Sequence, residues 1–81
     1  MKKYFNPELP RYVYYVRECL NGYAIQLLNT DRDENYPLTP AVAGQLQVAL
    51  PDTYRLQSCT RDDAEKELAN LAQLNGWEVV G

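Results

Sequence analysis

Eighty-one residues, 46% hydrophobic and 23% charged, describe a single globular domain over residues 1–81, too short for a second core and too apolar to be disordered. A net charge of −3 argues against non-specific attraction to nucleic acid, which needs a basic excess, and no apolar run approaches the ~20 residues of a membrane helix. The absence of histidine removes the commonest general base and metal ligand.

The start, Met1-Lys2-Lys3-Tyr4-Phe5-Asn6-Pro7, has no signal-peptide apolar core, so a cytoplasmic location is expected. Residues 1–10 read as an extended N-terminal arm. Pro7 and Pro10 lack backbone donors and hold Asn6 and Leu9 extended, so the arm lies along the domain or meets a partner.

Residues 11–30 carry the clearest signal, a β-hairpin. Tyr12, Val13, Tyr14, Tyr15 and Val16 favour a strand, Asn21-Gly22 suits a type I′ turn, and Tyr23, Ile25 and Leu27 begin the return. A turn centred there sets Leu20 opposite Tyr23, Val16 opposite Leu27 and Tyr14 opposite Asn29. The core face then carries Tyr14, Val16, Leu20, Tyr23, Ile25 and Leu27, and the other face Val13, Tyr15, Arg17, Cys19, Ala24, Gln26 and Leu28.

Residues 31–38 read as a polar loop. Thr39 caps a helix whose first residue is Pro40 and which runs to about Leu50, before Pro51. Residues 53–59 alternate, with Tyr54 and Leu56 on one side and Arg55 and Gln57 on the other, as in a half-buried strand. Thr60 caps a second helix with Asp62, Asp63 and Glu65 in its first turns, Ala64, Leu68, Leu71 and Ala72 on its apolar stripe, and Asn75-Gly76 as its stop. A last strand holds Trp77 and Val79 on one face. Strand, helix and strand so closely linked predict a right-handed parallel crossover. The expected fold is therefore α+β, a small open-faced sandwich of order β-β-α-β-α-β, with a mixed four-stranded sheet and two helices on one face.

Chemistry-bearing motifs are few. Asp31-Arg32-Asp33-Glu34-Asn35 begins like a calcium loop, but Tyr36 replaces the required glycine and Val42 the bidentate glutamate, so a solvated loop is expected and no metal. Cys19 and Cys59 are read as reduced residues without further ligands for zinc. Cys59 precedes a helix N-terminus but has no partner base, and the acids of the second helix are explained by capping, so no catalytic residue, no cofactor and no enzyme activity is expected. The tyrosine-rich segment 12–15 resembles a base-stacking platform only in part, because the register turns Tyr14 and Tyr12 inward.

The outward sheet face is the best candidate surface. Tyr15, Arg17, Gln26, Leu28 and Arg55 combine aromatic, arginine and aliphatic groups as interface centres do. The rival surface is acidic, at Asp62, Asp63 and Glu65. The function expected is a small non-catalytic, protein-binding regulator, inhibitor or adaptor, its partner another protein or a second copy of the chain. Such compact regulators are common on phages and mobile elements, a prior that no residue here carries. The competing readings are nucleic-acid binding through the Arg/Tyr sheet face and, more remotely, a small enzyme.

Overall fold

The computed structural model describes residues 2–80. Its elements are β1 (Tyr4–Asn6), β2 (Leu9–Cys19), β3 (Gly22–Asn29), β4 (Glu34–Pro37), α1 (Pro40–Leu46), α2 (Arg61–Asn75) and β5 (Glu78–Val79). The five strands form one open antiparallel sheet in the order β4-β3-β2-β1-β5. The fold is α+β, and its element order β-β-β-β-α-α-β replaces the mixed four-stranded arrangement expected from the sequence.

The β2–β3 hairpin has the expected faces in a different register. Tyr14 opposes Leu27, Val16 opposes Ile25 and Cys19 opposes Gly22, so the two-residue turn is Leu20-Asn21. Every pairing is offset by two residues from an Asn21-Gly22 turn. Because side chains alternate with period two, an offset of two keeps each residue on its face. Leu20 is the exception: as a turn residue it is 97% exposed and not part of the core. Gly22 draws the turn back by one position. Its φ of 148° suits glycine, and it stands against the Ser58 backbone, where no side chain fits.

Residues 53–59 do not form a strand. The β3 edge is already taken at Gln26 to Asn29 by β4, which occupies part of the stretch read as a loop. Only Tyr23 remains for this segment, and it exchanges two hydrogen bonds with Ser58, at 2.9 and 2.8 Å. Tyr54 is instead drawn inward, its hydroxyl donating to the Leu38 carbonyl at 2.6 Å, while Leu56 is exposed. With no strand before α2, the parallel crossover also disappears. β5 pairs antiparallel to β1 at the far edge, Tyr4 opposite Val79 and Phe5 opposite Glu78. Residues 4–6 of the arm are thus an inner strand, turned into β2 through Pro7-Glu8 with Glu8 N–H donating to Asn6 Oδ1 at 3.0 Å.

Both helices start where their caps place them. Thr39 Oγ1 accepts from Val42 N–H at 3.2 Å and Thr60 Oγ1 from Asp63 N–H at 3.1 Å. Helix α1 stops at Leu46, not Leu50, because Gln47 turns left-handed at φ 57°. Two residues beyond Leu46 a continued helix would face the opposite side; the break lets Val48 enter the core. Helix α2 ends at Gly76, φ 70°, and Trp77 N–H then donates to Ala72 O at 2.8 Å.

One buried cluster unites the inner sheet face (Tyr4, Tyr14, Val16, Ile25, Leu27) with Leu38, Ala43 and Val48, the α2 stripe (Ala64, Leu68, Leu71, Ala72) and Trp77. Trp77 stacks on Tyr14 with ring centroids 3.9 Å apart. Its Nε1 is buried without a partner among the described residues, so the indole is held by stacking and burial and not by a hydrogen bond.

Candidate functional site

The buried cluster contains inner-face residues of the sheet and none from the outer face. Strand pairing aligns the outer face in rows. The longest crosses all five strands, from Glu78 through Phe5, Val13 and Leu28 to Asn35. Beside it lie Tyr15, Gln26 and Pro37, and then Arg17 with Ala24. Phe5, Val13 and Leu28 form an unbroken apolar strip, each half-buried only. Side chains in successive strands stand near enough to shield one another in this way.

Polar groups hold the strip's neighbours in place. The Tyr15 hydroxyl donates to Asn35 Oδ1, so this side chain spans β3 to reach β4. Lys3 Nζ lies 5.6 Å from the centre of the Tyr15 ring, close enough for a cation–π contact. Arg17 Nη1 donates to Gln26 Oε1 at 3.3 Å. The aromatic anchor is therefore ordered before anything binds, which lowers the entropy lost on binding.

The structure brings four of the five sequence-derived residues together: Tyr15, Arg17, Gln26 and Leu28 share this face. Arg55 does not join them. It lies in the irregular segment before α2, where its N–H donates to Glu67 Oε1 at 3.2 Å; with no strand at residues 53–59, alternation there no longer assigns a sheet face. Phe5 was missed because residues 1–10 were read as an arm. The run Tyr4-Phe5-Asn6 ahead of the Pro7-Glu8 turn was the signal that could have placed it. Asp62 and Asp63 are exposed in the first turn of α2 and Glu65 is half-buried. These acids satisfy the dipole of α2, and they belong to a helix packed on the inner side of the sheet.

The phenols of Tyr14 and Tyr54 are shifted upward by their surroundings. Burial, and secondarily the charge of Tyr12, push the Tyr14 phenol up to about 12. Burial, then the charge of Glu67, raise Tyr54. Both shifts keep the phenol neutral and follow mainly from burial, with a smaller push from a neighbouring negative charge. Among the described residues no group of three or more acidic or cysteine side chains could hold a metal ion. Cys19 and Cys59 are both free thiols. No helix of the described residues is long and apolar enough to cross a membrane.

Comparison of the chain with protein-family models, with curated proteins and with solved structures finds no match. What fold and face define is a class of object: a small α+β domain whose antiparallel sheet has one face built into the core and the other left open.

Proposed function

We propose that this protein is a small non-catalytic binding module, a regulator, inhibitor or adaptor, that covers a surface of another protein with its outer sheet face. The observation that carries this reading is the Phe5–Val13–Leu28 strip, continuous across three adjacent strands and flanked by an ordered tyrosine, with an arginine in the row beyond it. An apolar centre with aromatic and arginine neighbours has the composition of interface centres. Lys3 at the Tyr15 ring and Arg17 one row beyond Tyr15 favour a partner with an apolar centre and an acidic rim, while the acids of α2 lie on a helix packed against the inner face and would orient the approach.

The test is capture of the partner from the native host, followed by titration with variants. Tyr15→Ala combined with Leu28→Ala should weaken binding by about 2 kcal/mol or more, as anchor residues do, with the melting temperature little changed. Arg55→Ala should have no effect. If reversing Asp62, Asp63 and Glu65 to lysine abolishes binding while the face variants bind normally, the acidic surface is the site and the proposal fails. Binding of single-stranded RNA or DNA with a steep salt dependence would instead assign the face to nucleic acid.

A further inference from the structure

A cleft of about 370 Å³ opens between the inner sheet face and α1. It lies apart from the outer face and within the size range of small-ligand sites. Its apolar walls are Leu27, Val42 and Leu46, and the rings of Tyr12 and Tyr36 line it with them. Two polar groups at this cleft have unused bonding capacity. Asn29 is 8% exposed. Its Oδ1 accepts from Asp31 N–H at 3.1 Å, but its Nδ2 makes no hydrogen bond among the described residues. That nitrogen is not sealed from solvent, so it remains a donor available at the cleft that Asn29 lines.

Arg32 is the second. Its N–H donates to Asn29 O at 3.3 Å and Asp33 follows at φ 54°, so the turn that presents it is built by Asn29 itself. Among the described residues the one ion pair is Arg11 with Asp31, at 3.7 Å, which leaves the Arg32 charge unanswered. Arg32 and Tyr36 line the same cleft. The acid beside it, Glu34, is engaged by the Tyr36 hydroxyl.

We propose that this cleft binds a small planar ligand bearing one anionic group, a carboxylate or a phosphate. The planar body lies against Tyr12, Tyr36 and the apolar walls, and the anion is held by Arg32 with Asn29 Nδ2 as an added donor. Arginine and a neutral amide both donate, and neither offers a competing negative charge.

The test is an amide NMR titration of the whole chain with matched pairs: benzoate against benzamide, and adenosine monophosphate against adenosine, with inorganic phosphate as a further probe. The expected result is saturable shifts at the cleft residues with an anionic member, and binding about tenfold or more weaker for its neutral partner. Arg32→Ala should remove that preference, and Arg32→Lys should retain part of it. Preference for benzoate assigns a carboxylate ligand, and preference for the nucleotide a phosphate ligand. The proposal is overturned if neither pair shifts these amides at millimolar concentration, if the two members of each pair bind equally, if inorganic phosphate alone binds as well as the ring-bearing anions, or if Arg32→Ala has no effect.

Discussion

Gly22 carries two constraints at once. Its φ of 148° is disfavoured for any side chain, and a Cβ there would stand 2.3 Å from the Ser58 carbonyl oxygen. That oxygen cannot withdraw without giving up its bond from Tyr23 N–H. Gly22→Ala must therefore accept a strained backbone and break the Tyr23–Ser58 bridge, which among the described residues is the one bridge fastening residues 53–59 to the sheet. A loss of about 2 kcal/mol or more is expected in urea unfolding; a variant as stable as the parent would mean that the Tyr23–Ser58 bridge is not formed in solution. Other side chains have more than one role as well. Tyr15 is both a surface aromatic and a strut to Asn35, and Asn29 caps the turn that carries Arg32.

The elements differ in how they are held. Helix α2 is capped at both ends and buries its apolar stripe. Residues 47–60, between the helices, have no regular structure, and tethers replace it. Asn75 supplies one of them: its side chain accepts from Ala49 N–H at 2.7 Å and donates to Ala49 O at 3.0 Å and to Leu71 O at 2.9 Å. An amide that gives and accepts in this way acts as one residue of a β-ladder would. Asn75→Ala should cost about 1–2 kcal/mol. It should also speed hydrogen exchange at residues 47–52 while the amides of β2 and β3 stay protected, because loss of a tether opens a local unit before the whole. Uniform acceleration across the sheet would show that this loop is not a separate unit.

For the molecule as a whole, one core joins the sheet, both helices and the connecting segment, and two tyrosines in it set a pH limit. Tyr14 is raised by burial to about 12, and Tyr54 is raised too, from the ordinary phenol value of 10.0. A phenol with a raised pKa holds its proton more tightly in the folded state than in the unfolded state. The stability this contributes is fully present below about pH 10 and is lost as pH rises through about 12. Unfolding free energy should therefore fall steeply across that window, and Tyr14→Phe should flatten the fall. An identical pH profile for Tyr14→Phe would show that Tyr14 does not govern alkaline unfolding. The same division into a core side and an open side leaves the outer strip available to a partner, and leaves the α1 cleft as a separate place for a small ligand.

Much of this was legible in the sequence because it depends on local chemistry. Helix caps at Thr39 and Thr60, the stop at Gly76 and the stripe of Ala64, Leu68, Leu71 and Ala72 each satisfy groups only a few residues away. Period-two alternation likewise placed Tyr14, Val16, Ile25 and Leu27 inward and Tyr15, Arg17, Gln26 and Leu28 outward, and an offset of two in the register could not change that. Strand partnership is not local. A strand exists only where another strand offers a free edge, so residues 4–6 and 34–37 became strands by finding β2 and β3, while residues 53–59 found the β3 edge occupied. The same contest removed Arg55 from the outer face and put Phe5 on it. The α1 cleft arises from it too, since its walls come from three strands, a turn and a helix that meet only in the folded chain. Alternation and caps determined which side each residue faces; competition for sheet edges, settled only in the tertiary structure, determined what it faces.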